Sequence, residues 1–378
     1  MAKSNVYNYP PQLAATNIGY FSPPLSASLL QEAAGFLVYD SRFSAIIGSE
    51  PTLLVIAEDA TGPFAHEAGV YIPDTGDVFI TSNHLVRDGK KYVQISRVSK
   101  DNDAPNHTER AGKQSYRVEH VHSEPNITLA NGGVNYMDGV LFCEQGSLTE
   151  PGGLTYMPTR INSANEKYTA TTILSNYHGR WFNSVNDVVI HKDGSIWFTD
   201  PPYGYEQGIR PVPQLPPQTY RFDPSTGGIR AVEDSIKRPN GLCFSPDQKV
   251  LYITDTAGVR GDTKCPGVYS PAGPASIYAF DVVIRNGGQF LANKRLFAFA
   301  DQGIPDGIKC DQAGNVYSGC GDGVHVWAAD GTLLGKIVVP GGCANFCFGR
   351  QGELFLLNEG KMWRAQLAAT VQGSLLEL

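Results

Sequence analysis

Five oxygen-bearing side chains recur at matching distances ahead of a repeated turn. Glu67 stands nine residues before Gly76, while Asn131, Asn186, Asn240 and Asp306 stand eight before Gly139, Gly194, Gln248 and Gly314. In a sixth unit the position eight before Gly352 is Ala344, with Asn345 beside it. None of the five offers sulfur or imidazole. Such a set suits a hard cation, with Ca²⁺ taking about 6–8 oxygens and Mg²⁺ a tighter octahedron. The carboxylates of Glu67 and Asp306 would balance a divalent charge. Asn, Asp and Gly are also the residues that turns prefer, so the NG and DG pairs read equally well as strand-entry turns. Glu67 resists that reading, because Glu is depleted in strands and is no turn former.

The elements that must position these residues are legible as short alternating runs behind each turn: DTGDVFITSN, MDGVLFCEQG, KDGSIWFTDP, PDQKVLYITDT, QAGNVYSGCGD and RQGELFLLNE. Their turn positions lie about 55 residues apart on average, enough for four short strands, which is the size of a propeller blade. Six turns predict an all-β, six-bladed β-propeller. Gly (41 residues) and Pro (25) are abundant, as many turns require. The best helical candidate, SASLLQEAAGF, is short. After Gly352 too little chain remains for a whole blade, and TLLVIAE at residues 52–58 is expected to supply the missing strand, closing the ring and removing an exposed edge. Residues 1–50 then form an N-terminal extension packed on the propeller, and residues 51–378 a single domain. Rotation about the propeller axis would bring the five oxygen donors to the mouth of one channel.

With 42% apolar and 18% charged residues in 378, the chain has the material for a large core, which excludes disorder and coiled coil. A net charge of -7 disfavours nucleic acid as a partner. No apolar run approaches the roughly 20 residues of a membrane helix. The segment MAKSNVYNYPPQL does not read as a secretory signal, and seven cysteines without a CxxC pair point to reduced thiols, so a cytoplasmic location is expected.

Other residues divide between structural and chemical readings. Asp187 should point away from the channel by strand alternation and bond backbone amides. His66 suits a packing or supporting role beside Glu67, and His325, in an apolar strand, a hydrogen-bonded core position. His120 and His122 share one strand face but have no evident third ligand for zinc. Arg180, Trp181 and Tyr203 sit in loops beside the Asn186 unit and are candidates for shaping a substrate pocket. The PPYGYEQGIRPVPQLPPQ stretch is long enough to form a lid. No GxSxG elbow, HExxH helix, Walker loop or Rossmann fingerprint occurs.

At these same positions the chain resembles the gluconolactonase, senescence marker protein and luciferin-regenerating enzyme family of six-bladed propellers. It looks most like the fungal lactonohydrolases that open aldonic and pantoyl lactones, through FAHEAGVYIPDTGDVF, GRWFNSVNDVVIHKDGSIWFTD, PPYGYEQGIRPVP, RPNGLCFSPDQKVLYITDT, IPDGIKCD and GCGDGVHVW. The resemblance implies that Glu67, Asn186, Asn240 and Asp306 hold Ca²⁺ or another divalent cation. For Asn131 a ligand's place and a substrate-facing or water-holding role fit equally well. The reaction the resemblance implies is hydrolysis of a small-molecule lactone; a carboxylate at the metal can reach a coordinated water, which makes Asp306 the expected general base and Glu67 the alternative. Two other readings stay open at this level. One is a non-hydrolytic biosynthetic enzyme that cyclises a reactive intermediate, and the other is a binding propeller with a structural ion.

Overall fold

The computed structural model describes residues 4–8, 34–101, 115–161, 167–260, 268–269 and 273–375. Within them six sheets of four or more strands, antiparallel except where Asn5–Asn8 pairs parallel with Gly35–Val38, are arranged as the blades of a propeller, with two short helices, Ser41–Ile47 and Tyr203–Glu206. The first blade comprises Glu67–Tyr71, Val78–Thr81, Ile95–Lys100 and Tyr116–His120. The second comprises Ala130–Tyr136, Gly139–Glu144, Gly153–Pro158 and Thr171–Leu174. The third is Val188–Ile190, Ile196–Asp200, Gln218–Asp223 and Gly228–Glu233. The fourth is Pro239–Phe244, Val250–Asp255, Ser276–Arg285 and Gly288–Phe299.

The fifth blade, Ile308–Cys310, Val316–Cys320, Gly323–Trp327 and Leu333–Val338, is extended at its outer edge by Gly35–Val38 and then by Asn5–Asn8. The sixth closes the ring. Asn345–Phe348, Glu353–Asn358 and Lys361–Gln366 come from the end of the chain, and Thr52–Glu58 pairs antiparallel to Lys361–Gln366 as the outer strand. The expected closing segment has these same bounds. Pairing the two ends in one sheet puts Thr52–Val55 and Ala57–Glu58 in register with Lys361–Gln366, with a shift at Ile56, so opening the ring would break that ladder as a unit.

Burial follows from blade stacking. Inner and second strands are covered on both faces and largely buried along their length, as in Ile196–Asp200, whereas the outer strand Gly228–Glu233 is largely half-buried. Phe182, Phe198 and Tyr220 meet with ring centroids 5.2–5.3 Å apart, and Trp197 packs edge-on against Phe244 of the next blade. Each such side chain contributes about 2–3 kcal/mol through burial.

Two local expectations are corrected. Gly139 does not make the second blade's turn: Met137, at φ 52°, does so. Gly139 instead opens the second strand, where a Cβ would meet the Met157 carbonyl oxygen at 2.1 Å. Of SASLLQEAAGF, residues 26–33 lie outside the described residues and Gly35–Phe36 are extended. The helix of this region is Ser41–Ile47, started by Asp40, whose carboxylate accepts the Arg42 N–H at 2.9 Å. No helix among the described residues is long and apolar enough to cross a membrane.

Candidate active site

The five counted positions converge. Glu67, Asn131, Asn186, Asn240 and Asp306 all line one cavity of about 150 Å³ at the channel mouth, in company with His66, Asn83, His84, Gln145, Tyr203 and Arg238. Each lies within two residues of the start of the innermost strand of its blade.

Backbone contacts between blades fix these starts. Thr81 Oγ1 donates to the Asn131 carbonyl at 2.9 Å, Thr199 Oγ1 to that of Asn240 at 2.6 Å and Thr254 Oγ1 to that of Asp306 at 2.9 Å. Each threonine is fully buried at the end of a second strand and grips the next blade. Between the second and third blades the Gly132 N–H takes over, donating to the Asn186 carbonyl at 2.9 Å. The signal was in the sequence, as the Thr of FITS, WFTD and YITD.

The glycines after the donors serve close approach rather than turning. A Cβ at Gly132 would meet Asn186 O at 2.4 Å, one at Gly241 would meet Asp306 O at 2.4 Å, and one at Gly307 would meet the Asn345 side chain at 2.3 Å. None of these three takes a positive φ, so the strand-entry turn reading of the NG and DG pairs does not explain them.

The donor atoms themselves are left without protein partners. Asn186 Oδ1, Asn240 Oδ1 and Asp306 Oδ1 are buried and accept no hydrogen bond among the described residues. An orphaned buried acceptor costs about 1–3 kcal/mol, and three around one cavity point to a ligand that repays them. Asn240 Nδ2 is tied to the Tyr203 hydroxyl at 3.3 Å, and that hydroxyl lies 2.5 Å from Thr256 Oγ1, so the Asn240 amide presents its oxygen as the free atom. Glu67 is held differently: Asn345 Nδ2 donates to its Oε2 at 2.7 Å. Burial, reinforced by the Asp306 charge, raises the Glu67 pKa, and burial raises that of Asp306.

Two carboxylates disfavoured as anions, with three orphaned oxygens, form a site that a divalent cation would neutralise and fill. Among the described residues no group of three or more His, Cys, Asp and Glu is placed to hold a metal. The donor set here has only two carboxylates, and asparagine amides supply the rest, a hard-oxygen chemistry that fits Ca²⁺ or Mg²⁺.

The walls add groups that the sequence left unassigned. His66 Nδ1 lies 2.6 Å from Glu359 Oε1, which Asn83 Nδ2 also approaches at 3.4 Å. Burial opposes a charged imidazole, but the carboxylates of Glu359, Glu67 and Asp306 together outweigh it and lift the His66 pKa to about 9. His84 Nε2 meets Gln145 Oε1 at 3.0 Å, and burial keeps its pKa low. Arg238 is locked by Glu206 at 2.6 Å, by the Val259 carbonyl at 2.8 Å and by the Tyr203 ring at 5.0 Å. It stands two residues before Asn240, within the RPNGL run.

Of the three loop residues proposed to shape a pocket, only Tyr203 reaches the cavity. Arg180 and Trp181 form a two-residue strand paired with Asn176–Tyr177, with Arg180 exposed. Trp181 packs instead against the Arg210 guanidinium at 5.2 Å, and Arg210 is fixed by the carbonyls of Phe182, Asn183, Ser147 and Glu150.

Asp187 bonds the Val188 N–H at 2.9 Å and the Leu242 N–H of the next blade at 3.4 Å, outside the cavity lining. His325 is a core residue paired with Asp322 at 2.5 Å. His120 lies at an exposed strand end, and His122 lines a neighbouring groove. Six cysteines are buried and free, and Cys265 lies outside the described residues.

Residues 130–357 match the model of the SMP-30/gluconolactonase/LRE-like region. Lactonohydrolase oryL of Aspergillus oryzae is 31% identical over 346 residues, spanning 88% of this chain and 74% of its own. The chain belongs to this family. A second relative, lactonohydrolase oryH of the same fungus, is 30% identical over 404 residues, spanning 89% of this chain and 81% of its own. Among solved structures of the family, a gluconolactonase from Xanthomonas campestris superposes with a TM-score of 0.67 at 26% identity, covering 89% of this chain and 96% of its own. A luciferin-regenerating enzyme shares the fold, with a TM-score of 0.56 at 15% identity.

Proposed function

We propose that the protein hydrolyses a small-molecule lactone, with Glu67, Asn186, Asn240 and Asp306 holding a divalent cation such as Ca²⁺. The observation that carries this reading is the set of buried, unpartnered oxygens of Asn186, Asn240 and Asp306 around one cavity. The names of the relatives favour hydrolysis over cyclisation or simple binding.

When bound, the cation would polarise the lactone carbonyl and lower the pKa of a water. The protein's own groups do the rest. Asp306 is the general base: its carboxylate takes a proton from water as the water oxygen bonds to the carbonyl carbon. Collapse of the tetrahedral species breaks the bond to the ring oxygen. The proton on Asp306 then passes to that oxygen, leaving a hydroxy acid. Glu67, oriented by Asn345, serves as ligand and is the alternative base. Asn131 and Tyr203 contact the substrate from the wall, and Arg238 fixes the Tyr203 ring.

The experiment is a titration of Ca²⁺ and Mg²⁺ into chelator-treated protein while acid release from several lactones is followed. Activity should appear with one bound ion per chain. Full activity with no divalent ion bound would defeat the proposal.

A further inference from the structure

A larger groove, about 570 Å³, adjoins the catalytic cavity. The two share Val93, and they are joined by the Ser82–Gln94 pair: Ser82 lines the cavity, Gln94 lines the groove, and the Gln94 N–H donates to Ser82 Oγ at 2.9 Å. One wall is the hairpin Leu85–Arg87/Lys90–Tyr92.

That hairpin concentrates positive charge on an acidic protein. Arg87, Lys90 and Lys91 line the groove against one carboxylate, Asp88, a formal charge of +2 in a chain of -7. Neither Arg87, Lys90 nor Lys91 has a carboxylate partner among the described residues. Arg87 is held over the Tyr92 ring at 4.7 Å and donates to its hydroxyl at 3.4 Å. Lys91 Nζ donates to the carbonyl of Gln207 at 2.9 Å, and Gln207 lines the catalytic cavity. Glu144 and Glu150 lie behind the lining, bonded to Thr128: Glu144 accepts the Thr128 N–H at 2.7 Å and Glu150 the Thr128 hydroxyl at 3.3 Å. The combined site is therefore dipolar, with acidic donors at the cavity floor and basic groups along the adjoining groove.

We infer that the lactone carries a second, anionic group away from the ring, and that the Arg87–Lys91 hairpin binds it. This rests on the lactonase reading and names its substrate class. A carboxylate there would replace solvent as the partner of Arg87 and Lys90 and reach the lip of the cavity at Lys91.

The test uses matched lactones that differ only in a tail carboxylate against a hydroxymethyl. The pairs are D-glucaro-1,4-lactone with D-glucono-1,4-lactone, and 5-oxotetrahydrofuran-2-carboxylate with 5-(hydroxymethyl)dihydrofuran-2-one. At low salt the anionic member should show a KM about tenfold lower in at least one pair. The ratio should collapse toward one in the triple variant Arg87→Gln, Lys90→Gln, Lys91→Gln and in about 0.5 M salt. Equal KM values, or a preference that survives the triple variant, would overturn the inference while leaving the lactonase reading intact. Calorimetric binding separates the two claims. If neither member is hydrolysed but the anionic one still binds in a hairpin-dependent way, the lactonase reading fails and the anion site stands. Absence of both turnover and binding overturns both.

Discussion

Asn345 Nδ2 lies 2.7 Å from Glu67 Oε2, so the last blade of the ring orients a carboxylate of the first. The asparagine also accepts the Phe346 N–H at 2.8 Å, which leaves its amide a single orientation. Asn345→Leu should therefore lower kcat/KM and divalent-ion affinity together, by about 10–100-fold. Calorimetry of ion binding alongside lactone hydrolysis checks this, and an unchanged ion affinity would contradict the assigned link.

Asp306 and Asp187 are separated by what their oxygens touch. Asp306→Asn removes the proposed base and should cost about 10²–10⁴ in kcat. It also removes a carboxylate disfavoured by burial, so the melting temperature of chelator-treated protein should not fall. Asp187→Asn replaces one of the two carboxylate oxygens that separately accept the Val188 and Leu242 amides, and should lower the melting temperature while sparing activity per folded molecule. Equal activity losses in the two variants would show the roles to be misassigned.

Gly241 has no room for a side chain, since its Cβ would meet the Asp306 carbonyl at 2.4 Å. Gly241→Ala should destabilise by about 1–3 kcal/mol through overpacking, and weaken ion binding by displacing Asp306. Gly194→Asn is the comparison, because its φ of 84° is tolerable for Asn and its Cβ would meet nothing. A smaller loss at Gly241 than at Gly194 would refute the close-approach argument.

Asp200 is fully buried and accepts the N–H groups of Asn183 and Ser184 at 2.9 and 2.7 Å. Burial outweighs these bonds and raises its pKa from 3.8 to about 7. Folded protein thus holds a proton that unfolded chain releases, and the stability linked to it is complete below pH 3.8 and lost as pH rises through about 7. Asp200→Asn should gain roughly 2 kcal/mol relative to the native protein between about pH 5 and pH 7.5. Denaturant melts at the two pH values measure this difference, and a pH-independent gap would contradict the raised pKa.

Much of the architecture is local and was therefore readable from the chain. A blade repeats its turn and alternating strands within some 55 residues, so the repeat, the oxygen donors ahead of it and the closing strand at residues 52–58 all left marks in residue types and spacing. Only the folded ring decided which groups meet across it. Asn345 and Glu67, or His66 and Glu359, are nearly 300 positions apart and become neighbours because closure sets the last blade against the first. Arg180 and Trp181 show the converse: adjacency in sequence to the Asn186 unit did not bring them to the cavity, because the Arg210 guanidinium engages the Trp181 ring. Residue type and period report what one strand needs of its neighbours in sequence, while side-chain partnerships between blades depend on a packing geometry that exists only when all six are assembled.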